Sequence, residues 1–181
     1  MKVLSINVGQ PRAVPWQRES ILTSIFKTPI HGPVPVGAMN LDGDRQADLT
    51  VHGGARKAVY VYPSEHYPFW RDELPELDFP YGAFGENLTT SGLLETSVRI
   101  GDRLTIGTAE CAVTQPRMPC FKLIIRFGRP DMVKRFMKSG RSGFYLRVTR
   151  EGLIETGDDI ALAAGDGAGA TVSEVFAGKR A

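Results

Sequence analysis

The sequence predicts a mainly β fold, a barrel or a sandwich with a few helices. The 20 glycines and 12 prolines fall between short apolar runs, a pattern typical of strands and tight connections. Some runs alternate, so that Cys111 and Val113 share one face of a predicted strand. Gly-Asp pairs at 101–102 and 157–158, each followed by an apolar stretch, indicate turns that open strands. A helical bundle is not favoured.

Seven strands follow from these runs. In chain order they are Lys2–Val8, Val34–Asn40, Lys57–Tyr62, Val98–Leu104, Ala109–Thr114, Phe144–Thr149 and Asp159–Ala163.

Two helices are predicted between these strands. The first has Ser64 as its N-cap and buries Tyr67, Trp70 and Leu74 on one face. The second follows residues 130–131, buries Met132, Val133, Phe136 and Met137 at helical spacing, and ends at Gly140. Residues 120–127 fit either a buried strand or a helix opened by Pro119.

Composition predicts one folded domain over residues 1–181. Apolar residues make up 42% and charged residues 23% of the chain, close to ordinary globular usage. The net charge of +2 comes without a run of like charges, which predicts no nucleic-acid partner and no membrane partner. The N-terminal apolar run is too short for a signal peptide. We therefore expect a cytoplasmic protein with reduced thiols.

Cys120 is the candidate reactive group. Pro116 and Pro119 exclude a central strand around it, so the thiol is expected on a stiff connection near Arg117 and Lys122. Cations beside a thiol favour the thiolate, the form that binds metals and attacks electrophiles. The alternative, a buried small hydrophobe, is the interpretation we give to Cys111.

A Gly-Gly segment is the candidate anion site. Gly53 and Gly54 leave backbone N–H groups uncovered, His52 adds a titratable donor, and Arg56 and Lys57 add charge. The segment lacks the spacing of a Walker loop. A purely structural turn therefore remains an alternative.

Glu86 and Asn87 lie between glycines in a third segment rich in polar side chains. They are able to hydrogen-bond the edges of a purine-like ring. A turn capped by Asn and Thr is the alternative.

The sequence gives less support to a zinc site, a calcium site or a Cys-His catalytic pair. The two cysteines and the histidines at 31, 52 and 66 lack zinc-ligand pairing. The acidic loop at 41–48 lacks the order of a calcium loop. A Cys-His couple stays open, because such partners meet only in space.

Three segments together resemble the MOSC family, the domain named after the C-terminal part of molybdenum cofactor sulfurase, and its YiiM-like branch in particular. Their order and spacing carry the resemblance, which extends over nearly the whole chain. The segments are residues 43–63, residues 84–88 (Phe-Gly-Glu-Asn-Leu) and residues 115–123 (Gln-Pro-Arg-Met-Pro-Cys-Phe-Lys-Leu).

The resemblance implies a β-barrel-like MOSC fold with a few peripheral helices, and molybdenum cofactor (molybdopterin) as the bound group. Pyridoxal phosphate is not expected. Cys120 would be the molybdenum ligand and catalytic residue. Cofactor-binding roles would fall to a larger set of residues: His52, Gly53, Gly54, Lys57, Glu86, Asn87 and Arg117.

The implied activity is reduction of N-hydroxylated small molecules such as hydroxylaminopurines. Some relatives carry a C-terminal helical extension or fused flavin and iron-sulfur modules, for which this sequence shows no segment. The expected partner is therefore a separate electron-donor protein, a flavin or iron-sulfur reductase.

Two other functions remain open. One is a sulfur or cofactor carrier that uses a persulfide on Cys120, as the family name suggests. The other is a non-catalytic module that holds a phosphate-bearing ligand through residues 52–57. Only the first of these needs Cys120.

Overall fold

The computed structural model of the chain describes residues 1–47, 53–165 and 169–179. Its main element is a large, mostly antiparallel sheet. The strands of the described residues, in chain order, are β1 (Lys2–Val8), β2 (Arg12–Trp16), β3 (Glu19–Thr23), β4 (Thr28–Ile30), β5 (Val34–Val36), β6 (Val59–Pro63), β7 (Leu88–Ser91), β8 (Arg103–Ile106), β9 (Ala109–Pro116), β10 (Phe144–Arg150), β11 (Gly152–Ile154) and β12 (Ile160–Ala163).

Eight strands form the large sheet in the order β12-β8-β9-β10-β6-β7-β1-β4. Every pairing in it is antiparallel except that of β6 with β7, which is parallel. Two small sheets complete the β structure. The β2–β3 hairpin pairs only with itself within the described residues, and β5 pairs with β11.

The sheet is curved but not closed. A single isolated bridge between Lys2 and Asp159 joins the start of β1 to the residue before β12. Among the described residues no ladder joins the two edge strands, β12 and β4. The mainly β prediction is confirmed, while barrel-like describes the sheet only loosely.

Four helices occur in the described residues, namely α1 (Tyr67–Glu73), α2 (Lys122–Phe127), α3 (Met132–Ser139) and α4 (Val172–Gly178). Thr171 caps α4 through a reciprocal pair of bonds with Glu174. Gly140 ends α3 in the left-handed conformation with φ of 73°. No helix in these ranges is long and apolar enough to cross a membrane.

Two apolar clusters pack on the sheet. One is aliphatic and includes Ile6, Val61 and Leu146. The other is aromatic and joins β6 to the helices through Tyr62, Trp70 and Phe136. Trp70 lies nearly parallel to Phe136, with ring centroids 6.1 Å apart. This aromatic cluster fixes α1 and α3 against the strand that leads to the candidate site.

Most predicted elements are found, with shifted ends. The predicted strand at Val98–Leu104 begins only at Arg103, because the Asp102 carboxylate accepts a bond from the Arg99 N–H and makes residues 99–102 a turn. Ser64 is not the N-cap of α1. It opens a one-turn 3-10 helix, and His66 occupies the cap position. A single domain over residues 1–181 stays a prediction.

Candidate functional site

A cavity opens beside the connection between β9 and α2. Its empty volume is about 580 Å³, part of it open to solvent. The wall includes Cys120 and five cationic side chains, which are Lys27, Arg45, Lys57, Arg117 and Lys122. A cavity with this lining favours an anionic ligand.

The predicted reactive cysteine, Cys120, lines this cavity and is partly exposed. The connection that carries it is held out of the sheet because β9 ends at Pro116. The other cysteine, Cys111, is 3% exposed in the aliphatic core, and burial raises the pKa of its thiol to about 12. The interpretation of Cys111 as a buried small hydrophobe fits this placement.

Within residues 120–127, for which a strand and a helix were both open, the structure forms a helix over residues 122–127 that Pro119 does not open. Helix α2 begins at Lys122, and Phe121 occupies its N-cap. The helix has six residues, too few for a strong terminal dipole. The electrostatic environment of Cys120 therefore comes from the cationic side chains around the cavity.

Arg117 is the most constrained of these cations. Its side chain lies between two rings, with the guanidinium carbon 5.4 Å from the Tyr60 centroid and 5.0 Å from the Phe136 centroid. The residue is only 5% exposed. Its Nη1 atom has no hydrogen-bond partner among the described residues. A buried guanidinium with an unused donor is costly unless a ligand accepts from it.

Ser24 presents a second buried atom of this kind. Ser24 lines the same cavity, and its buried Oγ has no hydrogen-bond partner within the described ranges. Ser24 and Arg117 therefore each bring a buried donor without a partner to the residues of the cavity wall.

Lys27 and Asp44 form a buried ion pair in the cavity wall. Their side chains are 7% and 1% exposed. Asp44 also accepts from the Gly9 N–H and from the Asn87 side chain, both at 2.8 Å. Burial lowers the pKa of Lys27, and Asp44 opposes that shift. The pair joins the segment before β4 to the turn after β5.

Asn87 lines the cavity, whereas Glu86 does not. The Asn87 side chain accepts from the Tyr60 N–H at 3.0 Å as well as bonding Asp44.

The Glu86 carboxylate is fully buried and accepts from four groups of the protein: Tyr67 Oη, Thr89 Oγ1 and the N–H groups of Gly82 and Phe84. Contact between Glu86 and a ligand in the cavity would require these bonds to break. The geometry therefore indicates that the Glu86 carboxylate stabilises its own loop.

The Gly-Gly segment meets the cavity through Lys57 alone among its described residues. The Lys57 ammonium lies 6.0 Å from the centroid of the Tyr145 ring. Gly54 has a φ of 90° and open space beside its Cα, so a side chain there would be strained. His52 lies outside the described residues. The roles predicted for His52, Gly53 and Gly54 stay predictions.

Neither described histidine reaches the cavity wall. His66 is buried and lies 2.7 Å from the Glu95 carboxylate, and His31 is exposed. The described residues contain no group of three or more His, Cys, Asp or Glu side chains arranged for a metal ion. A metal held by Cys120 would take further ligands from a bound cofactor or from outside these ranges.

The sequence pattern that defines the MOSC domain matches residues 48–161. The chain belongs to the MOSC domain family. The "Uncharacterized protein YflK" of Bacillus subtilis is 45% identical over 160 residues, which cover 88% of this chain and 72% of YflK.

A solved MOSC structure supports the branch as well as the family. The crystal structure of YiiM from Geobacillus stearothermophilus superposes with a TM-score of 0.82 at 36% identity, covering 99% of this chain and 83% of that one. The resemblance to the YiiM-like branch is confirmed.

A protein of Gibberella moniliformis named "Reductase" is also similar to this MOSC chain. It is 42% identical over 145 residues, which cover 78% of this chain but 26% of that protein. The chain thus spans about a quarter of the length of that relative.

Sequence reasoning missed Ser24, Lys27 and Asp44 as residues of the MOSC cavity. Asp44 belongs to residues 43–63, one of the segments that carry the family resemblance, but its acidic loop was weighed for a ligand only as a calcium site.

Proposed function

We propose that the chain binds molybdenum cofactor in the Cys120 cavity and is the terminal component of a reductase acting on N-hydroxylated small molecules. Membership of the MOSC family and the similarity to a protein named "Reductase" support a redox role. The observation that carries the proposal is that Arg117 and Ser24, which line the cavity together with Cys120, each have a buried donor without a partner among the described residues, Arg117 Nη1 and Ser24 Oγ.

The residues of the cavity fit this cofactor. Arg117 and Ser24 would bind the anionic or polar edge of the pterin group, because both have donors that the described protein atoms leave unused. Lys57 and Lys122 add positive charge against the phosphate. The Cys120 thiolate is the soft sulfur ligand that molybdenum accepts. Asn87 is itself part of the cavity wall and would hold Asp44 in place there, while Glu86 stabilises the loop behind the wall.

Bound cofactor would supply a two-electron redox centre. The balanced reaction converts R–NHOH, two electrons and two protons into R–NH₂ and water, so the N–O bond breaks and an N–H bond forms. The protein's own part includes delivering protons inside the cavity. Lys27 lines the cavity, and burial lowers the pKa of its ammonium, which makes Nζ a stronger proton donor.

Electrons would come from a separate flavin or iron-sulfur protein. The substrate would enter through the open side of the cavity.

Turnover by cofactor-bearing protein tests the proposal. The protein is produced in a host that makes molybdopterin, reduced with dithionite and methyl viologen, and mixed with 6-hydroxylaminopurine. We expect adenine to form with wild type and with Cys111→Ala, and not with Cys120→Ser. Full cofactor occupancy without any turnover would contradict the reductase function and favour a carrier that uses a persulfide on Cys120.

A further inference from the structure

A shallow groove lies between α1 and α3, on the surface of the protein. Its walls include Phe69 and Trp70 on one side and Lys134 and Lys138 on the other, and Arg141 lies across one end. The Arg141 guanidinium carbon is 3.7 Å from the Phe69 ring centroid. Lys134 and Lys138 are exposed. The proposed reaction assigns no role to the residues of this groove.

Helix α3 separates the groove from the Cys120 cavity. Lys134 and Lys138 lie in the groove, whereas Phe136 of the same helix is fully buried and contacts the Arg117 guanidinium at 5.0 Å. Arg117 in turn lines the cavity. The two sites are therefore separated by about one helix diameter, roughly 10–12 Å with side chains.

Stacked rings bridge this short distance. Trp70 lines the groove and lies parallel to Phe136 within 13°, at a centroid separation of 6.1 Å. Phe136 then contacts Arg117. A redox group seated over the groove would face the cavity through closely packed aromatic side chains and no layer of solvent.

Basic residues are concentrated in the segment that contains α3. Residues 117–141 contain eight basic side chains and a single acidic one, although the whole chain has 22 basic and 20 acidic residues. The rest of the chain is thus net acidic. Arg135 pairs with Asp131 and Glu73. The groove lining has four basic side chains, Lys134, Arg135, Lys138 and Arg141, and two acidic ones, Glu73 and Asp131, so its formal charge is positive.

We propose that the groove between α1 and α3 is the docking site of an acidic electron-carrier protein. Electrostatic complementarity would steer the carrier to this face. A fully reduced flavin holds two electrons, whereas a plant-type iron-sulfur cluster gives up one, so two successive dockings of such a carrier meet the two-electron demand of N–O bond cleavage. The inference rests on the proposed function, because it locates the partner that the reaction needs.

Binding of two acidic carriers, a flavodoxin and a plant-type ferredoxin, tests the groove. The cofactor-bearing protein is titrated with each carrier by calorimetry at about 20 mM and about 300 mM salt. The test variant carries Lys134→Glu and Lys138→Glu. The matched control carries Arg103→Glu and Arg147→Glu, which make the same charge change on exposed positions of β8 and β10.

We expect the Kd of at least one carrier to rise by about tenfold or more in the groove variant and with salt, and to change little in the control. Equal Kd values for wild type and groove variant, an equal loss in the control, or no binding of either carrier would overturn the docking site. Tighter binding of a short DNA duplex at the same lysines would overturn it too.

A viologen-driven assay separates the two proposals. Wild type and groove variant should reduce 6-hydroxylaminopurine equally with methyl viologen, because Lys134 and Lys138 lie outside the cavity wall. If the groove variant turns over with viologen and binds the carriers as wild type does, the docking site is wrong and the proposed function stands. Absence of viologen turnover would sink the proposed function, whatever the carriers do.

Discussion

The guanidinium carbon of Arg117 lies 5.0 Å from the centroid of the Phe136 ring. This contact couples the connection that carries Cys120 to helix α3, which borders the surface groove. The same contact helps to fix the position of the Arg117 side chain, while the N–H groups of the guanidinium remain the donors for hydrogen bonds. Because Nη1 has no partner among the described residues, Arg117 is positioned for a ligand more than for stability.

Replacing Arg117 should therefore separate binding from stability. We expect Arg117→Met to lose most of the bound cofactor while the free energy of unfolding changes by less than about 1.5 kcal/mol, because a buried and incompletely bonded charge is replaced by an apolar chain. Cofactor content and urea denaturation measure the two effects. Arg126→Met is the matched control, because Arg126 also has an unbonded buried nitrogen but does not line the cavity. Equal cofactor loss in both variants would contradict this role.

Replacing Asp44 should lower the free energy of unfolding more than replacing Lys27, although the two form one ion pair. Asp44→Ala leaves the buried Lys27 ammonium without its acceptor, and we expect a loss of about 3–5 kcal/mol in the free energy of unfolding. Lys27→Met should cost less, about 1–2 kcal/mol, because Asp44 keeps its donors from Gly9 and Asn87. Urea denaturation of both variants checks the order. The reverse order would show that the carboxylate is not the centre of this network.

The two thiols should differ in reactivity. Cys120 lines an open cavity, whereas Cys111 is 3% exposed. Iodoacetamide at about pH 8 should label one thiol in the native protein and both after unfolding in urea. Mass spectrometry of the native sample should find the label on Cys120. Native labelling of Cys111 would contradict the packing of the aliphatic core.

Alkaline stability should report the burial of Cys111. Its folded pKa is raised from 9.0 to about 12, so above pH 9 the unfolded chain loses the proton first. The stability present below pH 9 is then lost as pH rises towards 12, by about 1.4 kcal/mol per pH unit for this group. Urea unfolding between about pH 8 and pH 10.5 should show a steeper decline in wild type than in Cys111→Ala. Parallel declines would exclude a buried neutral thiol.

Local patterns were enough to predict much of the fold. Strand β1 occupies the predicted residues Lys2–Val8, and α3 with its Gly140 stop matches the predicted helix. The β2–β3 hairpin was missed because its strands are largely exposed and contain Pro15 within a run that lacks clear alternation. Helix α4 was missed although Thr171 and Glu174 form a recognisable capping box.

The candidate site was predicted only in part, because its residues are distant in sequence. Cys120 and Arg117 share one proline-rich segment, which made both visible before the structure was known. Lys27 and Asp44 meet only after β4, β5 and the turn that follows β5 are in place. The basic segment 117–141 was not apparent from the total charge of +2, because the rest of the chain is net acidic.

The molybdenum content of the purified protein tests the central claim most directly. Wild type, Cys120→Ser and the matched control Cys111→Ser are produced in a host that makes molybdopterin, and molybdenum is measured by elemental analysis. The account predicts similar molybdenum in wild type and Cys111→Ser, and a large loss in Cys120→Ser. Equal molybdenum in all three proteins, or none in any of them, would contradict Cys120 as the metal ligand.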